Sequence, residues 1–570
     1  MRSAFPAPPS MGGSCAGERR LPCAGERRLP ESGDGPRMAG WPEELAGAEA
    51  STAGADDFAA PALRAGFLEL PEGFVVGAAT SAYQIEGGAA EGGRKPSIWD
   101  DFVREEGRIE GGATGDVACD HYHRFRDDVA IMAKLGLQAY RLSISWSRLL
   151  PDGDEKVNPE GAKFYSDLID ELLSKGIAPW VTIYHWDLPS TLQREFDGWL
   201  GPKEKIVGAF AVFARACFTL FGDRVKNWIT LNEPWSFSIL AYQFGSLAPG
   251  RRRAQHEQYT VGHHSLLAHA EASRIYREEF KQSQGGQIGA SLCMNWMQPL
   301  RADVPEDAEA AQRRLSFMLG WFADPIFLGD YPACMRETCG ERLPRFTEEE
   351  KALLKGSSDF FGLNYYGTAL CATCADKREM LREKVGGFAA DVSVAIIEDP
   401  AWERTGNGWC VVPWGLRKML VYIQERYAPA GGIFITECGC VSDPKVSLEQ
   451  DASEGGALVP RPYSREAAEP EDWDAETLED PQRVRFLRAH FAAVHAAREQ
   501  GADVRGVFVW SLLDNFEWSA GYKHRFGIVR VDYPTQKRTI KSSGRFIADV
   551  ARRRGFDAPP QKEQYAGLRF

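Results

Sequence analysis

PEGAKFYSDLIDELLSKGIAPWVTIYHWD, residues 159–187, decides the fold. Leu168, Ile169, Leu172 and Leu173 recur at helical spacing, and Gly176 closes the helix. An apolar, β-prone run follows at Ala178–Tyr184, and it ends in the polar group His185-Trp186-Asp187. Helix, glycine, then a buried strand with chemistry at its C-terminal end is the rhythm of a βαβ unit.

The same rhythm extends in both directions. Apolar runs at Phe74–Ala78, Ala139–Ser143, Trp228–Leu231, Ile288–Met294, Phe360–Asn364, Ile433–Thr436 and Val507–Trp510 bring the candidate strands to eight. Between them, Tyr122, Phe125, Val129 and Met132 form a helical stripe ended by Gly136, and Val484, Leu487, Phe491 and Val494 form another ended by Gly501. Eight such units predict an α/β protein with one closed (β/α)8 TIM barrel and long active-site loops. An open doubly wound sheet is the alternative, and the absence of G-x-G-x-x-G after the first strand counts against it.

Composition fits one large globular enzyme: 570 residues, 44% apolar and 26% charged, with 16 Trp. A net charge of −13 argues against nucleic acid and anionic membrane surfaces as partners, and suits a neutral polar small molecule. No apolar run reaches membrane-spanning length. Oligomeric state is not legible.

Domain boundaries follow from composition. Residues 1–66, rich in Ala, Gly, Pro and Arg, contain the tandem octapeptide CAGERRLP and are expected to be a disordered low-complexity extension. The barrel domain is expected over 67–553, with a C-terminal tail at 554–570. The extension lacks a secretory h-region, and no Asn lies in a glycosylation sequon, so a cytoplasmic place is expected. Its arginines leave organelle targeting open, and Met38 is an alternative initiator.

The twelve cysteines are too sparse and irregular for a disulfide scaffold, and the lone C-x-x-C at Cys371 and Cys374 reads as a pair of loop thiols. Two connections, 365–408 and 441–480, are too long for ordinary barrel loops. The second is acidic and reads either as an active-site rim or lid, or as a solvated surface insertion.

A barrel places its catalytic groups at strand C-termini. There the chain has His185, Asn232-Glu233 and Asn364-Tyr365-Tyr366, then Glu437, and finally Trp510. Glu233 and Glu437 follow the fourth and seventh strands. A carboxylate pair can hydrolyse a glycoside, one attacking the anomeric carbon while the other protonates the leaving oxygen. Spacing alone leaves salt-bridged structural residues open as the other reading. Trp186, Trp235, Trp510 and Trp518 offer apolar faces to a sugar ring, although such residues also serve as core.

Several stretches make the chain resemble glycoside hydrolase family 1, the β-glucosidase family, from about Phe74 to Val550. They include FVVGAATSAYQIEG (74–87), GDVACDHYH (115–123), AYRLSISWSR (139–148), TIYHWDLP (182–189), TLNEPW (230–235), FFGLNYY (360–366), FITECG (434–439) and WSLLDNFEW (510–518). The resemblance implies a retaining β-glycosidase without metal or cofactor, acting on terminal β-D-glucosyl residues, or on galactosyl or fucosyl ones, in a small glycoside or oligosaccharide. It implies Glu233 as acid/base and Glu437 as nucleophile. Asn232 is expected on the sugar 2-OH, and Arg141 and Tyr366 on the nucleophile, with Asn364 supporting them. Gln84, His185, Glu517 and Trp518 are expected on the other hydroxyls, with Trp510 beneath the ring.

Departures sharpen this picture. The family's Glu-Asn-Gly is here Glu437-Cys438-Gly439-Cys440, read as a neutral change rather than a redox device. A carboxylate at Glu517 would repel a 6-phosphorylated sugar. Retention of both Glu233 and Glu437 separates the chain from myrosinase-like members that carry Gln at the acid/base, and from receptor-like members that lose one Glu.

Overall fold

The computed structural model describes residues 66–251, 256–384, 387–442 and 479–559. The expectations for residues 1–65, for nearly all of the 441–480 insertion and for 560–570 lie outside the described residues.

Eight parallel strands close into a barrel: β1 Val75–Ala79, β2 Ala139–Ser143, β3 Ala178–Tyr184, β4 Asn227–Asn232, β5 Gln287–Cys293, β6 Phe361–Asn364, β7 Ile433–Cys438 and β8 Val504–Trp510. Each expected strand is present to within about three residues, and β8 pairs with β1 to complete the ring. The decisive stretch forms the helix Pro159–Ser174 and then β3. Asn158 caps that helix by accepting from the Glu160 N–H at 3.3 Å, Pro159 fits its first turn, and Gly176 exits with φ of 72°. The stripes around Phe125 and Phe491 lie in the helices His121–Leu135 and Pro481–Glu499. Among the described residues no helix is long and apolar enough to cross a membrane.

The barrel interior is filled by aromatic rings. Trp180 of β3 lies 4.6 Å from Phe434 of β7, 5.2 Å from Phe508 of β8 and 5.4 Å from Phe360, which precedes β6. Gly77 makes room for this layer, because a Cβ there would sit 2.7 Å from the Phe508 ring. All four rings lie N-terminal to the polar groups on their own strands. They form a floor beneath the site.

Outside the barrel the long 365–408 connection is not a plain loop. Thr368–Thr373 pairs antiparallel with Val394–Ile397 and parallel with Trp296–Pro299 in a three-stranded sheet. That placement corrects the reading of Cys371 as a loop thiol, while Cys374 lies just past the strand in the connection that follows. Cys371 is a buried strand residue 3.5 Å from the Met297 sulfur, and both thiols are free and buried.

Gly555–Asp557, expected in the tail, forms a strand antiparallel to Phe67–Glu69. Phe556 is buried against Phe491 of the last long helix, ring to ring at 5.9 Å. Phe556→Ala is expected to destabilise the fold by about 3 kcal/mol, seen as a lower midpoint in urea or thermal unfolding with aryl-glycosidase activity per folded molecule unchanged.

Candidate active site

The strands bring the polar groups together at the C-terminal mouth. On β4 and β7 the register slips near that end, between Ile229 and Asn232 and between Ile435 and Glu437. On β7 this matters directly. Phe434 and Thr436 face inward, so strict alternation would turn Glu437 outward with Ile435. The irregularity lets Glu437 face the mouth as well.

Glu233 is aimed differently. Pro234 bars it from the right-handed helical region, and it adopts φ 47° and ψ 63°, a left-handed conformation costly for a side chain with a Cβ. Its N–H donates to the Ser291 carbonyl at 2.9 Å and its carbonyl accepts from the Ser236 N–H at 2.9 Å, which hold the turn. Behind Glu437, Gly439 is required, since a Cβ there would lie 1.7 Å from the Trp510 carbonyl oxygen.

Arg141 of β2 ties the ring of strands together from a fully buried position. Its Nη1 donates to Glu437 Oε1 at 2.5 Å and to the Thr436 carbonyl at 3.1 Å, its Nη2 to Asn232 Oδ1 at 2.6 Å, and its Nε to Thr182 Oγ1 at 3.2 Å. Tyr366 Oη donates to the other oxygen of Glu437 at 2.6 Å. Both oxygens of that carboxylate are thereby held by donors, one of them charged.

Asn364 of β6 donates through Nδ2 to Asn232 Oδ1 at 3.0 Å and to Glu233 Oε1 at 2.8 Å, while its Oδ1 accepts from Thr436 Oγ1 at 2.7 Å. Two donors on Asn232 Oδ1 fix that amide's orientation. Its Nδ2 therefore faces His185 Nε2, 3.1 Å away. An amide nitrogen only donates, so Nε2 of His185 accepts and the ring proton sits on Nδ1. Burial and the Arg141 charge push the His185 pKa well down, keeping it neutral. Nδ1 is buried with no partner among the described residues, and is a donor available to a hydroxyl.

Gln84, after β1, donates to Asn515 Oδ1 at 3.1 Å, to the Phe516 carbonyl at 3.0 Å and to Glu517 at 3.4 Å. The Trp510 and Trp518 rings each lie 6.0 Å from the His185 ring between centroids and within about 22° of parallel to it. Trp186 packs on Trp518 at 4.7 Å and donates its indole N–H to the Asn232 carbonyl, so it braces the wall. Trp235 turns its ring to Phe388 and is buried, which makes it core more than platform.

Electrostatics separate the carboxyls. Burial, then the negative charge of Glu437, pushes the Glu233 pKa up to about 7. The same two causes push Glu517 up to about 8. Three carboxyls share one dry site with a single arginine at its centre.

Three partners escaped sequence reasoning. Ser236, one turn beyond Glu233, donates to Glu233 Oε2 at 2.6 Å. Its i+3 spacing in the TLNEPWS stretch was the available signal. Thr436 precedes Glu437 and was overlooked as strand filler. Trp409, half-buried in the connection after β6, lies 5.2 Å from the Tyr366 ring and 5.9 Å from Phe526. Nothing in its own neighbourhood marks it.

The profile of Glycosyl hydrolase family 1 matches residues 68–453 and 465–556. The chain belongs to glycosyl hydrolase family 1. Beta-glucosidase 42 of Arabidopsis thaliana is 48% identical over 471 residues, covering 81% of this chain and 90% of that protein. A Glu-to-Gln variant of a rice β-glucosidase, solved in covalent complex with glucose, shares 41% identity at a TM-score of 0.76 over 84% of this chain and 98% of its own. The family 1 β-glucosidase of Thermotoga maritima shares 40% identity at 0.74, over 86% and 100%. The protein is a β-glucosidase-type glycoside hydrolase on a (β/α)8 barrel.

In this family 1 chain, Cys438 and Cys440 stand on either side of Gly439, free and buried. Burial pushes both thiols up, that of Cys440 to about 12. Thiols held protonated and away from solvent are poor redox groups. Cys438 packs in the main apolar cluster with Ile433 and Ile435.

Proposed function

We propose that this enzyme hydrolyses terminal non-reducing β-D-glucosyl residues with retention, through a covalent glycosyl-enzyme intermediate on Glu437. Glu233 protonates the leaving oxygen and then deprotonates the attacking water. The observation that carries this reading is the unequal setting of the two carboxyls. Both oxygens of Glu437 are held, one by Arg141 and one by Tyr366, which orients the carboxyl for attack. Among the described residues Glu233 has no such cation at hydrogen-bond distance, and its pKa of about 7 keeps a large share of it protonated near neutrality.

The cycle follows from those charges. Glu437 attacks the anomeric carbon as Glu233 gives its proton to the departing oxygen. Ester formation then removes the negative charge of Glu437, one cause of the raised Glu233 pKa. Glu233 is thereby tuned to act as base toward water. Asn232 Nδ2 is suited to the 2-OH, where a hydrogen bond strengthens as positive charge develops. Gln84, His185 and Glu517 would read the remaining hydroxyls, with Trp510 and Trp518 against the ring. The β-glucosidase relatives and the glucose-bound rice variant favour glucose. Galactosyl and fucosyl residues are the competitors to assay.

The direct test is a panel of aryl β-glucosides, galactosides and fucosides, with the first-formed anomer read by NMR. A β-anomer from the glucoside is expected; an α-anomer would overturn retention.

Two further outcomes are expected. The alkaline limb of kcat/KM should fall near pH 7, because Glu233 loses its proton above its pKa of about 7 and with it the ability to act as acid. Glu517 titrates close by, so the limb is a property of the carboxyl group set. A limb beyond about pH 9 would contradict the assignment. Tyr366→Phe should lower kcat by about 10- to 100-fold with little change in KM, since it removes one donor that orients the nucleophile; steady-state kinetics check it.

A further inference from the structure

Glu233 is held from two sides by groups of different chemistry. Asn364 Nδ2 donates to Oε1 at 2.8 Å and can only donate. Ser236 Oγ meets Oε2 at 2.6 Å and can donate or accept. Ser236 is itself buried, and on its far side Cys293 Sγ lies 3.3 Å from the same Oγ. Cys293 ends β5 in register with Asn364 on β6, so one pair of neighbouring strand ends supplies support to both oxygens.

A hydroxyl has one proton and two lone pairs. Against ionised Glu233, Ser236 donates to Oε2 and can accept from the Cys293 S–H. Against a carboxyl protonated on Oε2, it accepts there and can turn its own proton to the Cys293 sulfur. No proton changes owner within the pair; only the direction of each hydrogen bond reverses. Burial, then the Glu233 charge, holds the Cys293 thiol well above its usual range, so that it keeps the proton this exchange needs.

We propose that Ser236, backed by the Cys293 thiol, is a positioning residue whose hydroxyl reverses direction as Glu233 passes between acid and base. Oε2 of Glu233 is then held both while the carboxyl is ionised and while its proton waits on Oε2, and that proton turns from Ser236 to the glycosidic oxygen when it is delivered. The inference rests on Glu233 being the acid/base.

The other groups facing Glu233 act on its charge but cannot reverse in this way. Glu437 from β7 raises its pKa and Arg141 from β2 lowers it, while Glu233 in turn raises that of Glu517 after β8. Tyr366 after β6 is committed to Glu437. Arg314, on the helix Pro305–Leu315, lies over the Trp235 ring at 5.5 Å and faces Cys293 from behind.

The test is the pH dependence of kcat/KM on an aryl β-glucoside for wild type, Ser236→Ala, Ser236→Thr, Cys293→Ala and Cys293→Ser, with unfolding curves to establish that each is folded. Ser236→Ala removes a charge-assisted hydrogen bond from the ionised form and a weaker neutral one from the protonated form, so its alkaline limb should move up by about half a pH unit. Cys293→Ala should move it the same way by less, and Ser236→Thr and Cys293→Ser should return it toward wild type. If Ser236→Ala does not fold, the Cys293 pair carries the test alone. A wild-type limb in the folded alanine variants overturns the inference. Azide rescue of Glu233→Ala is measured in parallel. Rescue with a β-glycosyl azide product upholds Glu233 as acid/base whatever the limbs do. Absence of rescue removes that reading, and the relay with it.

Discussion

Glu437→Ala is expected to leave a folded protein that turns over aryl β-glucosides about 10⁴-fold more slowly than wild type, or worse. The size follows from what the side chain does. In the proposed mechanism it forms the covalent bond, and the two other carboxyls of the site are raised toward protonation. The loss should fall on kcat and kcat/KM together, because the interaction is realised in the transition state. The variant also strands Arg141, a buried guanidinium that donates to Glu437 at 2.5 Å. Some stability loss is therefore expected, and Glu437→Gln, which keeps the volume and one acceptor oxygen, separates folding from chemistry. Near-normal hydrolysis by either folded variant would end the nucleophile assignment.

Glu233→Gln is expected to behave in a contrasting way. An amide cannot protonate a leaving oxygen, but a leaving group that departs as a stable anion does not need the proton. Dinitrophenyl glucoside should still glycosylate Glu437, giving a burst followed by slow turnover, because no base then activates water. Glucosides of ordinary alcohols should lose about 10²- to 10⁴-fold in kcat/KM. The burst is read by stopped-flow, and added azide should speed the slow phase without changing the burst. Equal losses on activated and unactivated leaving groups would contradict a role for Glu233 in proton transfer.

Much of the architecture was legible because barrel strands are nearly continuous apolar runs bounded by glycine-capped helices. Residues 159–184 show both halves of that signal, and the structure reproduces them as a helix and β3. The three-stranded sheet was not legible. Thr368–Thr373 and Val394–Ile397 gain their strand character from pairing with each other and with Trp296–Pro299, distant in sequence. The final strand at Gly555–Asp557 escaped for the same reason, since its partner lies at the opposite end of the domain.

Within the site, the residues at strand ends were readable from position, and the resemblance supplies the roles proposed for them. What spacing could not convey was the bracing. The register slip that turns Glu437 inward leaves no mark in the sequence, and neither does the contact between Ser236 and Cys293, which sit 57 residues apart. The raised pKa of Glu233 is expected in direction from one carboxylate beside another. Its larger cause is burial, which only the packed site reveals. Trp235 shows the limit from the other side, since a tryptophan beside the acid/base turned out to face Phe388.

The central claim is that Glu437 forms the covalent bond to the sugar. A 2-deoxy-2-fluoro-β-glucoside with a dinitrophenyl leaving group tests it most directly, because the fluorine slows breakdown of the ester more than the good leaving group slows its formation. After incubation, the intact protein should gain the mass of one fluoroglucosyl group, and the peptide containing Phe434–Gly439 should carry it on Glu437. An adduct on any other residue, or full turnover of the reagent with no adduct, would contradict the account.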